Sequence, residues 1–367
     1  MKTFLVCFGT RPEAIKLYPL IRELKGRHGV RTVVAVSGQH REMLDQVLSA
    51  FGLSVDYDLS LMRSEQTLTA LTAAVLTAVG RILDEVLPDA LIVQGDTTTA
   101  YAASLAAFYR RIPICHIEAG LRTYDPFSPF PEEMNRRMIS CLASFHFAPT
   151  EGARHNLIKE GIAGDRILVS GNTVVDALRL TVREDFSHEL LSLAKGRRLI
   201  LLTAHRRENI GKPLAEILSG IRSAIEGRDD VCVIYPLHKN PAVRRIAEKV
   251  LHGCREIHMT EPLDVVTFHN LISRCDLILS DSGGVQEEAA SLARPLLVLR
   301  DSTEREEGIR SGSLFLVGTD REAVRRVLLD FLEERMRFDK NLADRLVFGD
   351  GNASAKIADF LTKKASL

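Results

Sequence analysis

The chain has 367 residues, enough for two domains, and 46% of them are hydrophobic, so sizeable cores can form. Its 48 basic and 48 acidic residues cancel to a formal net charge of zero. This balance argues against nucleic acid or an anionic membrane as a partner, because either would need a basic excess.

Several other classes are excluded by what the sequence lacks. It has no apolar run of roughly 18 residues or more, so we predict no transmembrane helix. The six cysteines form no CxxC pair and most lie in apolar runs, which indicates buried thiols in a reducing, cytoplasmic setting. The motifs HExxH, GxSxG and Walker A are also absent, and we therefore predict neither a metal nor a cofactor.

Apolar runs typical of buried strands alternate with helix-like segments along the whole chain. In the first half the predicted strands are residues 3–8, 31–36, 90–93, 113–117, 145–148 and 167–169. In the second half they are residues 199–203, 231–235, 257–259, 277–279, 295–299 and 314–317. Such alternation predicts an α/β protein with parallel sheets covered by helices.

The alternation restarts after residue 171, which predicts two Rossmann-like domains. We expect an N-terminal domain over residues 1–171 and a C-terminal domain over residues 172–350. A last amphipathic helix in residues 351–367 could pack back on the first domain. Two such domains place the natural ligand site in the cleft between their strand ends.

A strand-to-helix turn in the second half predicts a phosphate site. The small residues 282–284 follow the predicted strand at 277–279, and such turns let phosphates approach unpaired helix N–H groups. Arg305, in the loop after the adjacent strand, faces the same crevice. Either Glu287 or Glu288 could accept both hydroxyls of a ribose. We therefore expect a nucleotide diphosphate to bind the second domain.

Three carboxylates of the first domain lie where strands or loops end. Asp96 follows a predicted strand, and Thr97 or Thr98 could cap the next helix in its place. Glu118 ends another apolar strand, and Glu132 begins a helix after a proline-rich loop. So many acids beside a phosphate site indicate proton transfers on the sugar of the ligand.

Basic and aromatic residues extend this site. Arg11 and Lys16 place positive charge at the first helix, although both could be ordinary surface charges. His205, at the end of the first strand of the second domain, could stabilise a leaving phosphate or carry its proton. Phe268 or the backbone of Pro262 could hold a base, but a phenylalanine in an amphipathic helix is usually a core residue.

Nine segments at these strand ends and loops carry a family resemblance. In chain order they are FGTRPEAIK, GQHREML, QGDTTTA, HIEAGLRT, SPFPEEMNR, GNTVVDAL, LLTAHRREN, SDSGGVQEEA and RDSTERE. Together they resemble the non-hydrolysing UDP-N-acetylglucosamine 2-epimerases. The resemblance implies a GT-B fold and a homodimer. It also implies interconversion of UDP-N-acetylglucosamine and UDP-N-acetylmannosamine. In the implied mechanism UDP is eliminated to leave 2-acetamidoglucal and then adds back. The implied product supplies the synthesis of cell-surface polysaccharide.

The resemblance also implies roles for individual residues. By position, the acids and bases of the family fall on Asp96, Glu118 and Glu132, and its catalytic histidine falls on His205. Its nucleotide contacts fall on Arg11, Lys16, Phe268, Ser282, Gly283, Gly284, Glu288 and Arg305.

Bacterial members often bind a second substrate molecule as an activator. Gln39, Arg206 and His238 match that region. However, Glu42 and Glu65 stand where glutamine and arginine are expected in activator-dependent relatives, and two acids would repel a diphosphate.

Three other functions remain open at this point. A hydrolysing epimerase would share the elimination step but release free N-acetylmannosamine and UDP. A GT-B glycosyltransferase would need an acceptor and would not need three carboxylates. A non-catalytic nucleotide-sugar binding protein would bind the same ligand without exchanging its C2 hydrogen.

Overall fold

The chain folds into two α/β units. The computed structural model describes residues 1–38, 41–61, 66–336, 338 and 344–363, with the backbone alone at residues 41–43. One unit comprises Met1–Leu180 with Phe348–Leu367, and the other comprises Thr181–Val347. Each unit contains a parallel sheet with helices, which confirms the predicted α/β class and the parallel pairing.

Over its described residues, the first unit has a seven-stranded sheet in the order β3-β2-β1-β4-β5-β6-β7. The strands are β1 (Lys2–Phe8), β2 (Val30–Val36), β3 (Tyr57–Asp58), β4 (Ala90–Gln94), β5 (Ile114–Ile117), β6 (Phe145–Ala148) and β7 (Ile167–Val169). The α-helices described between Met1 and Thr181 are α1 (Arg11–Lys25), α2 (Arg41–Ala50), α3 (Leu68–Val86), α4 (Thr98–Phe108), α5 (Glu132–Leu142), α6 (Glu151–Lys159) and α7 (Thr173–Thr181).

The strand order of the first unit reverses between β1 and β4, which are neighbours in the sheet although more than one helix separates them in sequence. Parallel sheets bind ligands outside the carboxyl ends of the strands at such a reversal point. Gly9 follows β1 and Gly95 follows β4, so the loop that precedes Arg11 and the loop that contains Asp96 both lie at this point. The six strands predicted here all occur, and β3 was missed because its two residues form no apolar run.

The core of the first unit lies on both faces of its central strands. Residues 4–8 of β1 are completely buried, as expected for a strand covered by helices on both sides. Helix α4 is rich in alanine and is buried nearly all round, which allows it to pack closely on the sheet and on α3. This packing holds the carboxyl ends of β1 and β4 in place.

The second unit repeats this topology, with the order β10-β9-β8-β11-β12-β13 over its described residues. The strands are β8 (Arg198–Thr203), β9 (Val231–Pro236), β10 (Ile257–Thr260), β11 (Leu277–Ser280), β12 (Leu296–Val298) and β13 (Leu314–Leu316). The helices are α8 (Glu189–Leu193), α9 (Lys212–Ile225), α10 (Pro241–Leu251), α11 (Val265–Arg274), α12 (Gly283–Ser291), α13 (Glu306–Arg310) and α14 (Arg321–Leu332).

The reversal point of the second sheet lies between β8 and β11, which carry His205 and Ser282 just after their carboxyl ends. The six strands predicted for this half are all present. Tyr235 of β9 is fully buried, and its hydroxyl donates a hydrogen bond to the carbonyl of Ala204 at 3.0 Å. This bond fixes the backbone directly before His205.

The last described helix, α15 (Ala353–Lys363), belongs to the first unit. Lys2 Nζ donates to the carbonyl of Leu361 at 2.9 Å. The ring of Phe360 packs edge-on against Phe145 and Phe147 of β6, with centroids 5.3 and 5.5 Å apart. Among the described residues, no helix combines the length and the apolar character needed to cross a bilayer.

Candidate active site

Glu118 lies at the end of β5 in a buried polar cluster. Lys16 Nζ forms an ion pair with its Oε2 atom, and the two side chains are only 8% and 7% exposed. Gln94 Nε2 and Asn172 Nδ2 donate to the same oxygen at 3.0 and 3.2 Å. A cation and amide donors stabilise a carboxylate in its ionised form. The cluster therefore holds the Glu118 carboxylate beside a buried cation and two amide donors.

The backbone of Glu118 is unusual. Its φ angle is 63°, in the left-handed region that residues other than glycine seldom adopt. Such conformations cost on the order of 1–3 kcal/mol and are concentrated at functional sites, where the surrounding structure enforces them. Here, the hydrogen bond from Ala119 N to Phe147 O at 3.1 Å ties the next residue to β6. The strained residue is also the candidate acid.

Asp96, after β4, is held by two consecutive residues of α5. Arg136 Nη2 contacts the Oδ2 atom of Asp96 at 2.6 Å, and Asn135 Nδ2 donates to the backbone carbonyl of Asp96 at 2.9 Å. The Asp96 side chain keeps 24% exposure, whereas that of Arg136 is 5% exposed. Glu132 is the first residue of the same helix, one turn before Arg136, and is half-buried. Helix α5 thus links two of the predicted acids.

Arg136 is a site residue that the sequence analysis missed. Its guanidinium also contacts Glu133 at 3.3 Å, and Glu133 is fully buried. Glu133 accepts the backbone N–H groups of Thr123 and Tyr124 at 3.0 and 3.1 Å. Arg136 therefore connects Asp96 to the loop after β5. The spacing of three between Glu133 and Arg136 on one helix is the signal that could have indicated this contact.

Glu13 joins the two loops at the reversal point of the first sheet. Its Oε2 atom accepts the N–H groups of Gly9 and Thr10 at 3.0 and 2.7 Å, and its Oε1 atom accepts the Thr97 hydroxyl at 2.8 Å. Burial raises the pKa of this carboxyl from its ordinary value of 4.5 to about 7. The pattern Thr10-x-x-Glu13 is a capping box, a signal that the sequence analysis did not use.

Arg11 and Lys16 have different surroundings. Arg11 is the first residue of α1, directly after the loop that Glu13 holds, and is half-buried. Lys16 is buried in its pair with Glu118, so neither of the two is an ordinary exposed surface charge.

In the second unit, Asp281 holds the loop that carries His205. The carboxylate accepts the N–H groups of His205 and Arg206 at 3.0 and 2.9 Å, and the amide of Asn209 at 3.0 Å. Asp281 is fully buried. It lies after β11, the sheet neighbour of β8, so the contact depends on the strand order. The sequence analysis assigned it no role.

The ring of His205 stacks on that of His238, with centroids 4.9 Å apart and an interplanar angle of 6°. Thr203 Oγ1 lies 3.3 Å from His205 Nδ1. Both histidines are half-buried. The structure thus brings the predicted catalytic histidine against a residue that was predicted for an activator site.

The turn at residues 282–284 starts α12, and Arg305 lies against it. A Cβ atom added to Gly283 would come within 2.5 Å of Arg305 Nη1, whereas one added to Gly284 would meet nothing within 4 Å. Arg305 Nε donates to Glu287 at 2.8 Å, and its Nη1 atom forms an ion pair with Glu304. The turn therefore has a buried cation beside it and open space at Gly284.

Further charged residues surround Glu304. Arg300 contacts it at 3.0 Å and Arg206 at 3.7 Å. Burial lowers the pKa of the Arg300 guanidinium. Arg206, predicted for the activator site, therefore shares an acid with Arg300 and Arg305, next to the loop of His205.

Two other predicted contacts are on neighbouring helices. Glu288 of α12 is 8% exposed, and its Oε1 atom lies 3.4 Å from His269 Nε2. Phe268 of α11 is partly buried and packs against the apolar core of the unit. This packing is what the alternative of a core residue, rather than a base contact, expects. Gln39 and Glu65 lie outside the described residues, as does the side chain of Glu42.

Within the part of the chain that the structure describes, no group of three or more His, Cys, Asp or Glu residues could hold a metal ion.

Comparisons with known proteins identify the family. A family model described as UDP-N-acetylglucosamine 2-epimerase matches residues 22–362. The UDP-N-acetylglucosamine 2-epimerase of Bacillus subtilis is 47% identical, and the match covers 97% of this chain and 94% of that protein.

Solved structures agree with this match. The Neisseria meningitidis UDP-GlcNAc 2-epimerase bound to UDP-GlcNAc is 42% identical with a TM-score of 0.94, covering 99% of this chain and 100% of that one. The S. aureus MnaA structure with UDP is 43% identical with a TM-score of 0.92, covering 99% and 96%. Together with the two parallel sheets, this likeness confirms the predicted GT-B fold class. The chain therefore belongs to the UDP-N-acetylglucosamine 2-epimerase family, whose members are isomerases.

Proposed function

We propose that the chain is a non-hydrolysing epimerase that interconverts UDP-N-acetylglucosamine and UDP-N-acetylmannosamine. A carboxylate of the first unit takes the C2 proton while the bond from C1 to the UDP oxygen breaks, and the C1–C2 double bond of 2-acetamidoglucal forms. UDP then adds back to C1 while an acid delivers a proton to the opposite face of C2. No water is consumed in the cycle.

The observation that carries this proposal is the pair of separately held acids, Glu118 and Asp96, at the carboxyl ends of the neighbouring strands β5 and β4. Inversion at C2 needs a proton-handling group on each face of the sugar. Glu118 is buried and paired with Lys16, whereas Asp96 is paired with Arg136 and more exposed. Glu132, on the helix that holds Asp96, is the third acid of the proposal.

The second unit is proposed to bind UDP. Its turn at residues 282–284 offers open space at Gly284 and the first N–H groups of α12, and both features suit a diphosphate. Arg11, Lys16 and Arg305 are the proposed cations for this ligand. Phe268 remains a proposed base contact, Glu288 a proposed ribose acceptor, and His205 the proposed group that stabilises the departing UDP.

Relatives support the ligand and the reaction class. The N. meningitidis structure contains UDP-GlcNAc and the S. aureus structure contains UDP. We extend these ligands to this chain because the matches cover nearly its full length. A homodimer, a role in cell-surface polysaccharide synthesis, a cytoplasmic location and an activator site near Arg206 and His238 remain predictions.

Proton NMR of UDP-N-acetylglucosamine incubated with the protein in heavy water tests the proposal. We expect an equilibrium mixture of the two UDP-sugars, each with deuterium at C2. Accumulation of free N-acetylmannosamine and UDP would instead identify the hydrolysing reaction. Binding without any deuterium at C2 would reject catalysis altogether.

A further inference from the structure

The loop that carries Asp96 joins β4 to α4 and has only three residues, of which Gly95 is the first. Asn135 of α5 donates its Nδ2–H to the carbonyl of Asp96 at 2.9 Å. Thr97, the last residue of the loop, donates its hydroxyl to the buried Glu13 at 2.8 Å. These two contacts hold the second and third residues, so the remaining position to be held is the entry to the loop at Gly95.

His116 of β5 holds that entry. Its Nε2 atom lies 2.8 Å from the carbonyl oxygen of Gly95, and the residue is completely buried. Because a carbonyl oxygen can only accept a hydrogen bond, the proton between these two atoms belongs to Nε2. Burial lowers the pKa of His116 from 6.5 to about 4, so the ring is neutral at neutral pH and Nδ1 is left as an acceptor.

The second ring nitrogen of His116 makes no contact that would account for a histidine at this position. The Nδ1 atom is buried and has no hydrogen-bond partner among the described residues. A buried acceptor without a donor is unfavourable, and an apolar residue here would avoid that cost. What the imidazole contributes is therefore a single donor, directed at the loop of Asp96.

This donor matters because Gly95 cannot fix its own backbone. The φ angle of Gly95 is 69°, in the left-handed region, and a residue without Cβ restricts its backbone torsions less than any other. Rotation about ψ of Gly95 moves its carbonyl oxygen together with the N–H group and Cα atom of Asp96. A donor that holds the carbonyl therefore also sets the direction in which the Asp96 side chain leaves the loop.

We propose that His116 is a positioning residue for Asp96, whose Nε2–H group fixes the peptide between Gly95 and Asp96 and thereby the position of the carboxylate. This inference rests on the proposed function, in which Asp96 is one of the acids that exchange a proton with the sugar. Arg136 contacts the carboxylate of Asp96 at 2.6 Å, so the two partners act on different parts of the same residue. His116 is completely buried and acts only through the loop.

Steady-state kinetics of two substitutions of equal length tests this role. His116→Gln places an amide N–H near the position of Nε2 and should keep kcat within a few-fold of the wild-type value. His116→Met has a similar shape but no donor, and we expect kcat to fall by roughly tenfold or more while KM stays nearly unchanged. Equal kcat values in the two variants would overturn the inference.

His146 supplies a matched control for the loss of a buried histidine. It lies opposite His116 on β6 and is 1% exposed, and neither of its ring nitrogens has a hydrogen-bond partner within the described ranges. His146→Met should therefore leave kcat near the wild-type value. A fall as large as that of His116→Met would indicate a general disturbance of the core and would also overturn the inference.

A double-mutant cycle with Asp96→Asn separates an effect through Asp96 from any other effect. Deuterium entry at C2 over long incubations measures the low activities. His116→Met should lower turnover in the wild-type background but have little further effect in Asp96→Asn protein. The same fold-loss in both backgrounds would contradict a role through Asp96.

Failure of the proposed function would be recognised separately. Wild-type protein that introduces no deuterium at C2 would reject catalysis, and Asp96→Asn protein with full turnover would remove Asp96 from the mechanism and this inference with it. If His116→Met does not fold, nitrogen-15 NMR of the histidine rings in wild-type protein carries the test. The signal that is absent from His116→Gln should show the proton on Nε2, and a neutral ring with the proton on Nδ1 would overturn the inference.

Discussion

The guanidinium of Arg305 lies directly against the backbone of Gly283, so close that an added Cβ would come within 2.5 Å of Nη1. Arg305 is held there by Glu287 at 2.8 Å and by its ion pair with Glu304. The absence of a side chain at Gly283 is therefore what allows a buried cation to sit beside the first turn of α12. Gly284, the next residue, has no comparable neighbour.

This difference predicts that alanine destabilises the protein at position 283 but not at position 284. Gly283→Ala must displace Arg305 from its two acids and should lower the free energy of unfolding by about 1–3 kcal/mol, the usual range for overpacking. Gly284→Ala is the matched control and should leave stability within about 0.5 kcal/mol, because its Cβ meets open space. Urea denaturation measures both. Equal stability of the two variants would contradict the observed contact.

Asp281→Asn tests the support of the His205 loop. The carboxylate accepts two backbone N–H groups and one amide, whereas an asparagine offers one acceptor oxygen and would direct an NH₂ group at a donor. We expect turnover to fall by roughly tenfold or more, because His205 would lose its position. Steady-state kinetics gives the change. Asp229→Asn, at an exposed position before β9, should leave turnover unchanged. An equally active Asp281→Asn would remove Asp281 from the site.

The three proposed acids predict a common kinetic result. Glu118→Gln, Asp96→Asn and Glu132→Gln should each reduce turnover by roughly 100-fold or more, since an amide cannot take or deliver the proton. Rates of epimerisation and of deuterium entry at C2 should both be measured. Glu151→Gln, at an exposed helix start, serves as the control. Full activity in any one of the three would remove that residue from the proposed mechanism.

Glu13 predicts a pH dependence of stability. Its pKa is raised from 4.5 to about 7 by burial, so between these values the folded protein keeps a proton that the unfolded chain has released. The contribution of Glu13 is therefore complete below pH 4.5 and declines as pH rises to about 7. Relative to Glu13→Gln, wild-type protein should lose on the order of 3 kcal/mol of unfolding free energy across this window.

Urea denaturation at a series of pH values measures this loss. A constant difference between Glu13→Gln and wild-type protein over this window would show that Glu13 does not titrate between pH 4.5 and 7.

The amino-acid sequence by itself determined the class of fold and the general location of the polar residues. Apolar runs separated by helical segments are local features, so the main strands could be predicted without knowledge of their partners. The same holds for the strand ends, which is why Asp96, Glu118, His205 and Ser282 could be singled out. The exception is β3, which is too short to leave a pattern of its own.

Only the tertiary structure decided which of these residues meet. The pairing of β8 with β11 brings Asp281 to His205, and the packing of α1 near β5 brings Lys16 to Glu118. Such contacts join residues about 75 to 100 positions apart, and their existence depends on strand order, which local periodicity does not encode. The contacts of Arg305 with Glu287 and of His269 with Glu288 are shorter in sequence, but they too depend on how neighbouring elements pack, so they could be found only after the chain had been folded.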